Sequence, residues 1–209
     1  MNYSAIQCAE QNAQIRARAR EVRHDPSAAA RDLNQYPVAS ILQYSTTPLL
    51  QYSITPFFPM RSIIQRVTQA AVVVDGKTVG EIGAGVLVLL GIEATDTRED
   101  IEWLAGKIAR LRIFPDAAGA MNQSVTDIGG QALVVSQFTL FASTKKGNRP
   151  SFIRAAPPEF AERMYTDFCQ ELEGLLGKPV QRGVFGAHMS VQLVNDGPVT
   201  IWIDSKQKE

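Results

Sequence analysis

The chain has 209 residues, of which 45% are hydrophobic and 20% are charged, and its 21 basic side chains balance its 21 acidic ones. This length supplies one ordinary hydrophobic core, and no segment reaches the roughly 20 apolar residues that a membrane span needs. A net charge of zero argues against a non-specific nucleic-acid-binding protein, which needs an excess of basic residues. It is compatible with an enzyme that binds only the end of an RNA.

Cysteine and histidine are scarce in this chain. The two cysteines are Cys8 and Cys169, and the two histidines are His24 and His188. Two cysteines allow at most one disulfide and indicate a reducing compartment, so we expect a cytoplasmic protein. No group of these residues has the spacing of metal ligands, and we therefore expect neither a metal nor another cofactor.

Residues 1–59 differ in character from the rest of the chain. Residues 1–34 have no sustained apolar stripe, and acidic residues interrupt their arginines, which disfavours a targeting peptide. Residues 35–58 are three short repeats, QYPVASIL, QYSTTPLL and QYSITPFF, each containing a proline. We expect a disordered extension or a mis-assigned start, with a short partner-binding segment as the alternative, and one domain over residues 60–209.

Strand patterns dominate the chain after this extension. Residues 62–67 and 70–74 are rich in β-branched side chains and predict two strands with a break at Thr68-Gln69. Residues 86–92 and 132–139 are continuous apolar runs, which are typical of strands buried on both faces. The polar exceptions are Ser136, Gln137 and Thr139, which need either internal hydrogen-bond partners or a site to serve.

Two helix patterns separate these strands. Thr97 and Asp100 form a capping-box pattern ahead of the apolar stripe Ile101, Leu104, Ile108 and Leu111. Pro157-Pro158 predicts the start of a second helix, which Gly177 ends and in which Cys169 is a packed thiol. Three shorter strand patterns close the chain, at residues 180–184, 190–194 and 199–203.

The predicted fold is α+β, with a mixed, mostly antiparallel sheet and two covering helices. Two loops stand out within it. Residues 145–149, KKGNR, are the most basic short stretch and indicate either a phosphate contact or a solvated turn. Residues 195–200, NDGPVT, lie between two predicted strands and indicate a hairpin turn.

Five segments in this order, IIQRVTQAAV, GAGVLVLLGI, SQFTL, NRPSF and NDGPV, resemble the bacterial-type D-aminoacyl-tRNA deacylase family. The resemblance covers Met60 to Asp204 and omits residues 1–59. It implies a compact barrel-like fold and a homodimer with an active site at each end of the interface. It also implies hydrolysis of the ester that joins a D-amino acid, or glycine, to the terminal adenosine of tRNA, while L-aminoacyl-tRNA is spared.

The resemblance also implies roles for particular residues. The catalytic strand would carry Ser136, Gln137, Phe138 and Thr139. Gly197-Pro198 would be a cis peptide inserted into the site of the other subunit, where its carbonyls hold the amino group of the substrate and exclude an L-side chain. Three further residues match substrate-binding positions of the family: Arg66, which would brace that dipeptide, and Phe185 and Met189, which would contact the terminal adenine or, alternatively, belong to the core.

The sequence offers no obvious base to activate Thr139 as a nucleophile. An aminoacyl ester is already activated, and one oriented oxyanion donor contributes about 10²–10³ in rate. We therefore favour a mechanism in which backbone N–H groups around Phe138 and Thr139 hold the carbonyl and the 2′-hydroxyl of the substrate helps to activate water. Two alternatives stay open: a non-catalytic module that binds aminoacyl-tRNA or a nucleotide, and a generic Ser/Thr esterase that uses Ser136 or Thr139.

Overall fold

The computed structural model describes residues 60–207, so the predictions for residues 1–59 lie outside the described residues. The described part consists of eight strands, two α-helices and one 3-10 helix. In chain order these elements are β1 (Arg61–Val74), β2 (Lys77–Ile82), β3 (Gly85–Gly91), α1 (Arg98–Ala109), β4 (Phe114–Pro115), β5 (Met121–Gln123), β6 (Gln131–Ser136), the 3-10 helix (Phe138–Phe141), α2 (Pro158–Leu176), β7 (Gln181–Arg182) and β8 (Ser190–Asp204).

The sheet is organised around β1, which is hydrogen-bonded along both edges. On one edge, β3 pairs antiparallel with the first half of β1 and β2 with the second half. On the other edge, β8 runs antiparallel to β1 from Arg61 to Val73. Beyond β3, the strands β6 and β7 are added in parallel, while β4 and β5 form a separate antiparallel pair. The mixed, mostly antiparallel sheet with two helices confirms the predicted fold class.

The sheet curls until its two ends almost meet. Gly80 of β2 lies so close to β7 that a Cβ atom there would stand 2.8 Å from the Arg182 carbonyl oxygen. Gly85 of β3 allows an equally close approach by β6, since a Cβ atom would stand 2.0 Å from the Gln131 carbonyl oxygen. These glycines let the strands wrap tightly into a nearly closed barrel.

Alternate residues of β3 and β6 enter two different cores, which explains their continuous apolar sequences. Val86, Val88 and Val134 pack in the larger core beneath the two helices. Leu87 and Leu133 point to the other face, into a smaller core with β1 and β2. Strands buried on both faces need no alternation of polar residues. The prediction of two fully buried strands is confirmed for these elements.

The two predicted helices are also confirmed. Thr97 and Asp100 form the capping box of α1, and α2 begins at Pro158 and ends at Gly177, whose φ of 65° is the left-handed conformation that glycine favours. The two helices pack their apolar faces together over the sheet. One residue of the predicted stripe, Leu111, lies beyond the end of α1 and is half-buried. None of the helices in residues 60–207 is long and apolar enough to cross a membrane.

The predicted break at Thr68-Gln69 is wrong, because β1 continues through it. The irregularity survives only as shifts in the pairing with β8, between Gln65 and Val67 and between Val67 and Gln69. Both polar residues are exposed and lie between the pairing of β1 with β3, which ends at Val67, and its pairing with β2, which begins at Ala70. A bulge absorbs such an irregularity at the cost of a local bend.

The hairpin turn predicted at residues 195–200 is also wrong. The two predicted strands are one, β8, because the Asn195 side chain replaces the missing ladder bonds. Its Nδ2 donates to the carbonyl oxygens of Arg66 (3.2 Å) and Val199 (3.0 Å), and its Oδ1 accepts the Val199 N–H (3.1 Å). At the other end of this region, β7 covers only Gln181–Arg182 of the strand predicted at residues 180–184.

A strand was also predicted through residues 132–139, but β6 ends at Ser136. The Gln137 N–H still donates to the Leu90 carbonyl oxygen of β3 (2.7 Å), and the chain then turns. The Leu140 N–H donates back to the Gln137 carbonyl oxygen (3.2 Å), which begins the 3-10 helix. Gln137, Phe138 and Thr139 therefore lie on a turn rather than on a strand.

The turn after β3 buries two acidic side chains, Glu93 and Asp96. One oxygen of Asp96, Oδ2, accepts the Glu93 N–H (2.8 Å), while Oδ1 has no hydrogen-bond partner among residues 60–207. Burial raises the pKa of Asp96 from 3.8 to about 7. The native state consequently keeps a proton on Asp96 at pH values where the unfolded chain has released it.

This retained proton makes stability depend on pH. Because the native state binds more protons than the unfolded state between pH about 4 and about 7, the free energy of unfolding should fall as pH rises through that range, by at most about 1.4 kcal/mol per pH unit. We predict that Asp96→Asn has a flatter dependence in urea titrations. The control Glu81→Gln, at an exposed position of β2, should keep the wild-type slope. Equal slopes for Asp96→Asn and the wild type would contradict this prediction.

Candidate functional site

A cavity of about 730 Å³ opens where β6 gives way to the 3-10 helix. It is lined by Leu90 and Ile92, by the turn after β6, by the start of α2 and by the segment between β7 and β8. Mostly apolar cavities of about 300–1,000 Å³ with a few polar groups are typical of small-molecule sites. Five of the predicted site residues line it: Ser136, Gln137, Phe138, Phe185 and Met189.

A second cavity, of about 590 Å³, lies over β1, β2 and β8. Its lining is more polar and includes Gln69, Gln131 and Gln192. None of the predicted site residues borders it. The cavity at the end of β6 is therefore the better candidate site.

The first wall of the candidate cavity is the 3-10 helix and the two residues before it. Phe138 is 57% exposed and stands at the rim, where its ring meets Phe152 edge-on at a centroid distance of 5.1 Å. The Gln137 Nε2 donates to Thr139 Oγ1 in a short hydrogen bond. A donor amide cannot remove a proton from this hydroxyl, so the contact orients Thr139 without activating it. Thr139 itself is half-buried and lies outside the cavity lining.

The backbone of this turn supplies hydrogen-bond donors. Phe138 and Thr139 are the first two residues of the 3-10 helix, and the first N–H groups of a helix have no acceptor within it. The helical hydrogen bonds begin only with the Leu140 N–H, which donates to Gln137, and continue with the Ala142 N–H, which donates to Thr139 (3.0 Å). The Phe138 and Thr139 N–H groups thus precede the helical ladder, beside the cavity.

The opposite wall is apolar and half-buried. Phe185 packs against Tyr165 with a centroid distance of 6.0 Å, and Met189 packs against the smaller core, so both also have the packing role that was the alternative interpretation. His188 lines the cavity between them and is exposed. This wall offers apolar surface and one imidazole to an incoming ring.

Cys169 confirms its prediction as a packed thiol. It is fully buried in α2 beside Tyr165, and burial raises the pKa of the thiol to about 11. A thiol with so high a pKa is a poor nucleophile. Among residues 60–207, no group of three or more His, Cys, Asp or Glu side chains is placed to hold a metal ion.

Apart from Thr139, the remaining predicted residues lie elsewhere, around Gly197-Pro198 on β8. This peptide bond is cis, and both residues are exposed and do not border the cavity of their own chain. Arg66 Nε contacts the Asp196 carbonyl oxygen (2.9 Å) and its carboxylate Oδ2 (3.0 Å), while Arg66 Nη1 donates to the Ile113 carbonyl oxygen. Within one chain, the structure thus separates the predicted residues into a cavity group and a Gly197-Pro198 group.

The sequence analysis did not identify Arg61, which contacts the 3-10 helix and holds it in place. Its Nη1 donates to the Leu140 carbonyl oxygen (3.1 Å), its Nε contacts Asp204 Oδ2 (3.3 Å), and its guanidinium lies 5.0 Å from the centroid of the Phe141 ring. The available signal was a charge pair, since Arg61 and Asp204 are opposite residues at the ends of the antiparallel strands β1 and β8. Recognising it required the register of these strands.

Comparison with known proteins decides the family. A family model for D-Tyr-tRNA(Tyr) deacylase matches residues 63–204. The chain belongs to the D-Tyr-tRNA deacylase family. D-aminoacyl-tRNA deacylases from Chromobacterium violaceum and Parabacteroides distasonis are 61% and 60% identical over 150 residues, which are 72% of this chain and all of each relative. The resemblance inferred from the sequence motifs is confirmed.

Two solved structures share the fold of this chain. The c-Myc DNA Unwinding Element Binding Protein is 43% identical, with a TM-score of 0.66 over 69% of this chain and 97% of its own. A structure described as a probable eukaryotic D-amino acid tRNA deacylase has a TM-score of 0.63 over 70% of this chain and 100% of its own. At 20% identity, the latter supports the fold alone.

The Arg61–Asp204 ion pair can be tested by its contribution to stability. Arg61→Met leaves the buried Asp204 carboxylate without its guanidinium partner, and breaking a buried ion pair in this way costs about 3–5 kcal/mol. We predict a loss of that order in urea unfolding, part of which the double variant Arg61→Met/Asp204→Asn recovers.

The matched control for this loss is Arg98→Met. Arg98 is exposed on α1 and pairs with Glu102 of the same helix and with Glu171 of α2, and an exposed ion pair contributes at most about 1 kcal/mol. Equal losses for the Arg61 and Arg98 variants would contradict a structural role of the Arg61–Asp204 pair.

Proposed function

We propose that this protein is a D-aminoacyl-tRNA deacylase, which hydrolyses the ester between a D-amino acid or glycine and the terminal adenosine of tRNA in the cytoplasm. The observation that carries the proposal is the Gln137-Phe138-Thr139 turn beside an apolar cavity, in a chain about 60% identical to proteins of that name. The ester is already activated, so positioning its carbonyl accounts for much of the catalysis that hydrolysis needs.

In this proposal, different parts of the substrate contact the two opposite walls of the cavity. Phe185 and Met189 contact the terminal adenine, for which a half-buried aromatic and thioether surface is suited. The ester carbonyl then lies toward the turn, against the N–H groups of Phe138 and Thr139. Two backbone donors in a partly enclosed site stabilise the negative charge that develops on this oxygen.

Water is the nucleophile in this mechanism. Its oxygen attacks the carbonyl carbon, the bond from that carbon to the ribose oxygen breaks, and the ribose oxygen takes the proton that the attacking water releases. The hydrogen bond that Thr139 accepts comes from a side-chain amide, which is not a base and does not make Thr139 a nucleophile. The 2′-hydroxyl of the substrate therefore helps to activate the water. Gln137 holds Thr139 in place, and Ser136 lines the cavity at the end of β6.

Selection against L-amino acids requires a rigid obstacle, because packing contacts discriminate by only about 1–3 kcal/mol for each group. We propose that Gly197-Pro198 from a second copy of the chain enters the cavity and holds the amino group of the substrate through its carbonyls. Its exposure and its separation from the cavity of its own chain support this placement. Arg66 and Asn195 brace the segment, so an L-side chain meets backbone that cannot yield.

The catalytic domain in this proposal is residues 60–209. Its supporting observation is that the relatives align over 150 residues, their entire length. Residues 60–207 contain both cavity walls and the Gly197-Pro198 segment. Residues 1–59 contribute no residue to the proposed mechanism.

The decisive assay uses one tRNA charged in turn with a D-amino acid, with the matching L-amino acid and with glycine. We predict that the D-aminoacyl and glycyl esters are hydrolysed while the L-ester decays at the rate measured without protein. Equal catalysed rates on both enantiomers would contradict the proposal. Binding without hydrolysis would favour the non-catalytic module, and a covalent acyl adduct on Ser136 or Thr139 would favour the generic esterase.

A second experiment tests the role of Thr139. Removing a true nucleophile costs on the order of 10⁶ in kcat, whereas removing a positioning hydroxyl costs far less. We predict that Thr139→Ala keeps deacylation well above the rate without protein and keeps its preference for the D-ester. Thr68→Ala, at an exposed position of β1, is the matched control. A folded Thr139→Ala protein that binds substrate and has lost all catalysis would overturn the water mechanism.

A further inference from the structure

One surface feature takes no part in the mechanism above: the loop of residues 144–150, called here the basic loop. It contains Lys145, Lys146 and Arg149 and no acidic residue. The loop is closed at its base by Ser143 and Ser151, whose backbone groups exchange two hydrogen bonds of 2.9 Å. All of its residues are exposed. The loop therefore presents three positive charges to solvent and is held at its base.

The base of the basic loop reaches the rim of the candidate cavity. Phe152 follows Ser151 directly, lines the cavity and meets the Phe138 ring edge-on. This aromatic contact joins the loop to the turn that carries the Phe138 and Thr139 N–H groups. The loop that carries the three charges is thus anchored at the rim of the cavity.

The basic loop is distinguished by three basic side chains within five residues, none of which has an ion pair among residues 60–207. Lys145, Lys146 and Arg149 make no ion pair among residues 60–207. Elsewhere in these residues, six basic side chains do pair with a carboxylate: Arg61, Arg66, Arg98, Arg154, Arg182 and Lys206. In a chain of zero net charge, a concentration of unpaired positive charge at a cavity entrance indicates an anionic ligand.

We propose that the basic loop binds the phosphates of the RNA strand whose terminal adenosine occupies the cavity. This inference rests on the proposed function, because it assigns a place to the nucleotides that precede that adenosine. Such a strand has one phosphate for each nucleotide, and those nearest its end must pass the rim. Lysine supplies a mobile point charge and arginine a planar fork, both of which suit phosphate oxygens.

Contacts of this kind have a measurable signature in salt. Each phosphate neutralised on a single strand contributes about −0.7 to the slope of log affinity against log salt concentration. Three lost contacts should therefore make the slope shallower by about 2 and weaken binding at low salt by on the order of tenfold or more. A contact that merely supports the fold would not change this slope.

The test compares the wild type with the triple variant Lys145→Gln/Lys146→Gln/Arg149→Gln. The matched control is the triple variant Lys77→Gln/Lys107→Gln/Arg110→Gln. It also removes three exposed positive charges, one on β2, one on α1 and one directly after α1. The first measurement is the dissociation constant of uncharged tRNA over a range of salt concentrations. We expect the triple variant to bind more weakly and with the shallower slope, while the control variant behaves like the wild type.

The second measurement is deacylation of two substrates, D-aminoacyl-tRNA and D-aminoacyl-adenosine, which has no phosphate. We expect the triple variant to lose on the order of tenfold in kcat/KM on the tRNA at low salt and to retain its rate on the adenosine ester. Equal losses on both substrates would overturn the proposal, because the loop would then act on the cavity itself. Unchanged tRNA binding would also overturn it and leave the loop as a solvated turn.

A third arm separates the bound strand from polyanions in general. A blunt RNA duplex with no single-stranded end should bind the wild type and the triple variant alike. An equal loss for the duplex and the tRNA would overturn the proposal in favour of a non-specific basic patch. The binding measurements do not depend on hydrolysis. A wild-type protein that binds tRNA through the loop but hydrolyses neither ester would therefore contradict the proposed function and support the proposed role of the loop.

Discussion

The pairing of β1 with β8 runs from Arg61 opposite Asp204 to Val73 opposite Ser190, and it joins the two ends of the described domain. Both groups of candidate residues depend on this register. At one end, it places Arg61 where it reaches the carbonyl oxygen of Leu140 and holds the 3-10 helix. Near the middle, it brings Arg66 to the backbone just before Gly197-Pro198. Antiparallel pairing fixes such cross-strand neighbours, and a shift by one residue would turn each side chain to the opposite face.

The end of this pairing is secured by buried polar contacts. Ser205 Oγ accepts the Met60 N–H (3.1 Å) and donates to Asp100 Oδ1 (2.8 Å), which ties β1 and β8 to α1. Burial alone would raise the pKa of Asp100, but hydrogen bonds from Lys206 and Ser205 outweigh it and lower the pKa. Asp100 is consequently a stabilising anion at neutral pH, whereas Asp96, four residues earlier and with an oxygen lacking a partner among the described residues, keeps its proton more readily.

Local signals in the sequence predicted the parts of the fold that local interactions determine. The capping box at Thr97, the proline start of α2 and its glycine end each depend on residues a few positions apart. The apolar runs of β3 and β6 also predicted burial on both faces, since no polar alternation interrupts them. Together with the motifs, these signals gave the correct fold class and family.

Contacts between distant residues explain what the sequence did not reveal. The continuity of β8 depends on Asn195 bonding to Arg66, which is far away in the chain. The Asp-Gly-Pro pattern alone therefore suggested a hairpin. Residues 137–139 leave the sheet because Leu140 bonds back to Gln137, a choice that apolar periodicity does not encode. Arg61 went unrecognised because its partners, Leu140 and Asp204, are adjacent only in the folded protein.

Of the nine predicted site residues, five line one cavity, Thr139 lies outside that lining on the adjoining turn, and three lie apart. Ser136 ends β6, Gln137 and Phe138 follow it on the turn, and Phe185 and Met189 come from the segment before β8. Arg66, Gly197 and Pro198 belong to a different surface of the same chain. The central claim of the proposed mechanism is that a second copy of the chain brings these two surfaces together.

Mixed dimers test that claim most directly. One variant, Met189→Arg, fills the cavity, and the other, Pro198→Ala, alters the segment proposed to enter it. Each protein alone should deacylate D-aminoacyl-tRNA poorly. Equal mixing through unfolding and refolding should restore about one quarter of the wild-type activity, because half of the dimers are mixed and each of these has one intact site. A mixture that contains the mixed dimer but is no more active than its two components would contradict a site shared between subunits.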